Sequence, residues 1–86
     1  MNLLKNMVNS KMNNITADEL LKYAGEINME LARPQAEQIA KYLHGKHFDI
    51  FDDKTRAQII KEIAKVSGPK TAKELNKLFI QHTAGL

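Results

Sequence analysis

The stretch TADELLKYAGEI, residues 16–27, combines the start signal and the periodicity of an amphipathic α-helix. Thr16 followed three residues later by Glu19 matches the capping box, in which a hydroxyl and a carboxylate each accept a hydrogen bond from a backbone amide at the helix start. Apolar residues then recur at helical spacing, and charged residues four apart occupy the opposite side. The stretch therefore predicts a helix over residues 16–27, with Leu20 on its buried side.

Three further segments show the same pattern and predict short helices over residues 34–44, 53–66 and 70–82. Pro34 suits the first turn of a helix, where its fixed φ and missing amide cost nothing. Gly45 suits the left-handed position after the last turn. These elements predict an all-α fold, a compact bundle of four short helices in one domain. The predicted core consists of Leu20, Ile39, Leu43, Ile60, Ile63, Leu75 and Phe79.

The amino-terminal segment lies outside this pattern. Residues 1–11 are rich in asparagine and poor in helix caps, so a flexible or loosely helical extension is expected there, ahead of a single helical domain at residues 12–86. A start at the methionine that follows the segment would make it an upstream addition. The alternative is an amphipathic helix that uses Leu4, Met7 and Val8.

The segment between the second and third predicted helices is too apolar for a freely solvated loop, because it contains Phe48, Ile50 and Phe51. A short strand here would have no evident partner, and an unpaired strand is not stable alone. The sequence therefore predicts a loop that folds onto the core.

Composition excludes several classes of function. A chain of 86 residues is long enough for one modest core. It contains no cysteine, which rules out disulfides, thiolate zinc sites and cysteine nucleophiles and favours a reducing cytoplasm. No apolar run approaches the roughly 20 residues of a membrane helix, and no glycine-rich phosphate loop is present. We predict no catalysis and no cofactor.

The one local histidine cluster consists of His44 and His47, with Asp49 nearby. A zinc site needs three or four ligands, and Gly45 is expected to end the helix between the two rings. Exposed histidines near a helix carboxyl end are the simpler interpretation, so no metal is predicted. His82 is predicted to be a partly buried packing residue rather than a general base.

Charge is distributed unevenly along the chain, whose formal net charge is +3. Residues 12–53 are predominantly acidic, and the chain from residue 54 onward is predominantly basic. Lysines of the last two predicted helices need only face the same way to contact phosphates without reading a base sequence. This polyanion or nucleic-acid contact would use Lys61, Lys65, Lys70, Lys73 and Lys77. A solvated lysine face is the simpler interpretation, and the lack of aromatic residues among these lysines argues against base stacking.

Residues 62–68 resemble the first half of a DNA-binding helix-turn-helix. The second half departs from that motif, because the positions expected to enter its core are occupied by Glu74 and Lys77. The last helix is therefore rotated relative to the motif, and specific DNA reading is disfavoured.

The last predicted helix is apolar over a wider arc than so small a domain is expected to cover. Leu78 and Ile80 project on opposite flanks of the stripe formed by Leu75 and Phe79, and one of them is expected to be exposed. We predict a protein-interaction module or homo-oligomer that uses this helix, with no membrane partner. The alternative is that the apolar loop or the amino-terminal segment covers both residues.

Four segments are informative beyond their helical pattern: MNNITADELLKYA from Met12, QAEQIA from Gln35, IAK from Ile63 and TAKELNKLF from Thr71. They resemble the YqfT-like family of small proteins from Bacillus-type bacteria. The resemblance covers nearly the whole chain after Met12, and it implies a cytoplasmic, single-domain protein of unknown function. It carries over no catalytic or binding residue. Residues 1–11 depart from the short amino terminus expected of this family.

Overall fold

Residues 3–83 are described by the computed structural model of the chain, and within them the backbone forms helices and turns but no strand. The predicted all-α class is confirmed. The helices of this part of the chain are α1 (Leu3–Asn13), α2 (Ala17–Glu26), α3 (Arg33–Leu43), α4 (Asp53–Ser67) and α5 (Pro69–Thr83). The predicted count of four is wrong, because the segment expected to be flexible or loosely helical forms α1. Residues 1–2 and 84–86, at the ends of the two predicted segments, lie outside the described residues.

The ends of the helices follow the local signals in the sequence. Thr16 Oγ1 accepts the backbone N–H of Glu19 at 3.1 Å, and Glu19 Oε1 accepts the backbone N–H of Thr16 at 3.1 Å, which confirms the capping box of α2. At α4, the hydroxyl and the backbone amide of Thr55 donate to the Asp52 carboxylate, and these bonds lower the pKa of Asp52. Gly45 follows α3 with φ 76°, as predicted.

The Thr16 cap makes a contribution to stability that can be measured. Thr16→Ala removes the acceptor for the Glu19 amide, and we expect the free energy of unfolding to fall by about 1 kcal/mol. Urea denaturation followed by circular dichroism measures the change. Thr16→Ser keeps a hydroxyl and should stay close to the parent protein. Equal losses in the two variants would show that the hydrogen bond is not the cause.

The core draws side chains from every helix and from the loop before α4. Six of the seven predicted core residues are buried, whereas Ile60 is only half-buried. The difference arises because α4 turns Ile59 and Ile63 inward, which places Ile60 at the edge of the core. The largest fully buried side chains are those of Met12, Leu20, Ile39, Leu43, Ile50, Ile63, Leu75, Leu78 and Phe79.

Two asparagines of α1 hold the loop before α4 against the core. The Asn13 amide accepts the backbone N–H of Phe48 and donates to the carbonyl of Phe48, both at 3.0 Å. Asn9 accepts the backbone N–H of Ile50 at 2.9 Å and donates to the Asp49 carboxylate at 3.0 Å. The asparagines thus supply the partners that a neighbouring strand would give. Phe48 and Ile50 are buried, which confirms that the loop folds onto the core.

α1 is attached to the rest of the fold along one side only. Val8 packs against the core, and Lys11 forms an ion pair with Glu19 of α2. Leu4 and Met7 remain exposed, at 57% and 61% of their surface. The helical alternative for this segment is therefore the observed one, but of its three apolar residues only Val8 packs inward.

Candidate interaction groove

The packing of α4 along α5 leaves a groove of about 440 Å³ on the outward side of the helix pair. Lys61 of α4 and Lys73 of α5 stand at its borders. Asp53 and Arg56 line the part that lies near the start of α4, and they form an ion pair with each other. The apolar floor consists of Ala57, Ile60, Ala64, Pro69 and Ala72.

Helical periodicity explains why small side chains line this groove. Ala57 and Ala64 are seven residues apart on α4, so they lie on one stripe of that helix, and Pro69 and Asn76 have the same relation on α5. Gly68 alone joins the two helices, with φ 90°, a backbone conformation that favours glycine. The alanine stripe of α4 therefore meets the Pro69–Asn76 stripe of α5 at the outer seam of the helix pair.

The five lysines of the proposed polyanion contact are all exposed. Lys61 and Lys73 line the groove. Lys65 lies near Tyr42 of α3, and Lys70 lines a separate cavity beside the α2–α3 connection. Lys65 Nζ forms an ion pair with Glu62 Oε1 at 3.3 Å. Of the five predicted lysines, the structure thus places two in the groove, Lys61 and Lys73, and exposes the other three, Lys65, Lys70 and Lys77, outside its lining.

The two residues predicted to form a protein interface, Leu78 and Ile80, differ in exposure. Leu78 is 1% exposed, and its surroundings include Tyr23 of α2 and Ile27, the residue that follows α2. The prediction that Leu78 contributes to an exposed interface is wrong, because α2 covers this flank of α5. Ile80 is 46% exposed and follows Asn76 by four residues, so it continues the groove side of α5. Of the two residues predicted to form the interface, only Ile80 is therefore exposed.

The histidines lie apart from the groove. His44 and His47 are exposed, on either side of the left-handed Gly45. Within residues 3–83, no group of three or more histidine, aspartate or glutamate side chains could hold a metal ion. His82 Nδ1 donates to the carbonyl of Leu78 at 2.9 Å, and its ring meets the ring of Tyr23 at 4.7 Å between centroids. This arrangement is that of a packing residue.

A second surface, which the sequence did not indicate, lies where α3 and the end of α4 meet. Tyr42 lines a shallow depression together with Val66, which is 54% exposed. The Lys46 ammonium lies 4.6 Å from the centre of the Tyr42 ring. Burial raises the pKa of Tyr42. Because lysine already covers one ring face, this surface is less open than the groove.

The groove residues missed by sequence reasoning are its alanines. They are Ala57, Ala64 and Ala72. Alanine is compatible with almost any helical position, so its identity alone gives no signal. The available signal was the seven-residue spacing of Ala57 and Ala64, which becomes informative only when the side of α4 that faces α5 is known.

The fold and the groove define the class of protein as a small all-α domain, with five helices in the described part of the chain. None of these five helices is long and apolar enough to cross a membrane. The chain belongs to the family described as protein of unknown function (DUF2624), whose profile matches residues 1–83. It is 34% identical over 82 residues to the uncharacterized protein YqfT of Bacillus subtilis (strain 168), covering 95% of this chain and 98% of that protein. No solved structure gives a significant match.

These comparisons confirm the resemblance to the YqfT-like family. They also correct one expectation about it. The family profile matches from residue 1, so residues 1–11 lie inside the region that the family shares rather than departing from it. α1, which includes most of that segment, therefore lies within the region that the family profile matches.

Proposed function

We propose that this protein is a protein-interaction module whose contact surface is the α4–α5 groove. The observation that supports this proposal is an apolar floor that lies open between lysines of two helices. Ile80 extends the apolar surface along α5. Hydrophobic grooves of this kind bind amphipathic segments of partner proteins in several unrelated folds.

The positive charge of the groove indicates which kind of protein can bind there. A two-fold contact between the grooves of two copies would bring the same patch together with itself, and therefore lysine against lysine. Like charges brought together at an interface are unfavourable. A partner protein, or a differently charged surface of a second copy, is therefore the better occupant.

Polyanion binding through the same five lysines is the alternative function. Their exposure favours it, since each phosphate contact needs only a nearby ammonium group. Phosphates alone would nevertheless leave the apolar floor in contact with water. The protein-interaction proposal accounts for both the lysines and the floor.

Position-specific photo-crosslinking in cells that express the full chain tests the proposal. A photoreactive amino acid at Ala57, in the groove, should give a crosslinked protein of defined mass, because both Ala57 and the groove are exposed. The same amino acid at Gln58, exposed but about 100° further around the helix, should not. Equal crosslinking at both positions, none at Ala57, or a product removed by nuclease would contradict the proposal.

A further inference from the structure

We infer that the occupant of the groove is an amphipathic helix with acidic residues beside its apolar stripe. The inference rests on the protein-interaction function proposed above, and it adds the secondary structure and the charge of the partner segment. Three features of the groove carry it: its length and small-residue floor, the helical nature of its walls, and the sign of the charges along its borders.

The dimensions of the groove match a short helix. On α4 its lining runs from Asp53 to Ala64, a distance of about 16 Å at the rise of 1.5 Å per residue, which is three helical turns. Three alanines on the floor allow a neighbouring helix to approach closely, because helices pack at 8–10 Å only where the side chains at the contact permit it. The apolar residues of an incoming helix would recur at i, i+3 or i+4, and i+7.

The walls of the groove favour a helical over an extended partner. Both walls are α-helices, whose backbone amides and carbonyls are already paired within each helix. An extended segment gains most of its affinity by adding backbone hydrogen bonds to a sheet edge, and none is present among the described residues that line the groove. A helix satisfies its own backbone and can contribute its apolar side chains alone.

The borders of the groove determine the charge of the partner. Lys61 and Lys73 line it directly, one on each helix, and both are exposed. The one acidic residue in the lining is Asp53, which is already paired with Arg56. Carboxylates on both sides of the apolar stripe of the partner would complement these lysines and accelerate association, whereas a basic helix would be repelled.

Synthetic peptides about four turns long provide the probe. The acidic peptide carries leucines at the i, i+3 or i+4, and i+7 positions with glutamates beside them, and two matched peptides carry glutamine or lysine in place of glutamate. Binding to the full chain is measured by fluorescence anisotropy and by chemical-shift changes of backbone amides. We expect the acidic peptide to shift amides of α4 and α5 around the groove, with the glutamine peptide about tenfold weaker and no binding of the lysine peptide.

Charge reversal on the protein distinguishes binding in the groove from a general attraction of the acidic peptide to a basic protein. Lys61→Glu with Lys73→Glu should weaken the acidic peptide at least tenfold and permit binding of the lysine peptide. Lys22→Glu with Lys41→Glu changes the net charge equally, at exposed positions on α2 and α3, and should leave both affinities nearly unchanged. Equal weakening in the two double variants would overturn the inference.

Failure of the inference is distinguishable from failure of the proposed function. If Ala57 crosslinks to a protein but the acidic peptide shifts no groove amides, the partner is not an acidic helix and the module proposal stands. If neither result is obtained, both proposals fail. Duplex DNA that binds the same surface more tightly than the acidic peptide, with a steep loss of affinity as salt rises, would replace both by the polyanion function.

Discussion

Leu78→Lys is expected to lower the free energy of unfolding by about 4 kcal/mol or more, whereas Ile80→Lys should change it by less than about 0.5 kcal/mol. Leu78 is 1% exposed and Ile80 is 46% exposed, although they lie two residues apart on the same helix. The first change removes a buried apolar side chain, worth about 1.5–3 kcal/mol, and adds the cost of placing an ammonium group beneath α2. The second places a charge where water already reaches.

Urea denaturation followed by far-ultraviolet circular dichroism measures both changes. The loss predicted for Leu78→Lys is large, since a domain of this length has a total stability of about 4–13 kcal/mol. Leu78→Met preserves the volume and apolar character of the side chain and should cost less than about 1.5 kcal/mol. Similar losses for the lysine variants of Leu78 and Ile80 would show that α2 does not cover one flank of α5 selectively.

The helices with capped ends could be predicted from the sequence because their signals are local. The capping box at Thr16 and the apolar spacing after it predicted a helix over 16–27, and α2 is observed at Ala17–Glu26. The predicted helix over 53–66 corresponds in the same way to α4 at Asp53–Ser67. A residue and its neighbours three or four positions away are sufficient to specify such elements.

α1 could not be predicted in this way, because much of what holds it in place is distant in sequence. An isolated helix of this length is marginal in water. Asn9 and Asn13 contribute by bonding to backbone groups about 35 to 41 residues away. Asparagine content therefore suggested flexibility, whereas the asparagines are the residues that attach the helix to the loop before α4.

The candidate site was only partly predictable for the same reason. Exposure of the five lysines followed from their charge and spacing, and it is observed. Which flank of α5 is covered depends on where α2 lies, and this information is absent from the periodicity of α5 itself. Leu78 and Ile80 are both apolar in sequence, and what distinguishes them is the position of Tyr23 and Ile27 beside Leu78. The groove, which is shared by two helices, likewise requires their relative orientation.

Asn13→Ala is expected to lower the free energy of unfolding by about 2–4 kcal/mol. The Asn13 side chain is buried, and it satisfies both the N–H and the carbonyl of Phe48, each at 3.0 Å. Alanine would leave these two backbone groups without partners, and each buried group left unpaired costs about 1–3 kcal/mol. Loss of the attachment should also release the loop that carries Phe48 and Ile50.

Asn14→Ala is the matched control for this change. Asn14 is the next residue, is exposed, and bonds only within its own turn, through its amide to the carbonyl of Ser10 at 2.8 Å. Asn14→Ala should lower the free energy of unfolding by less than about 0.5 kcal/mol. Hydrogen exchange of the Phe48 amide distinguishes the mechanisms, because that amide should exchange much faster in Asn13→Ala than in Asn14→Ala when both are compared below their unfolding transitions. Unchanged protection of the Phe48 amide in Asn13→Ala would show that the loop is held by apolar burial of Phe48 and Ile50 rather than by the asparagine.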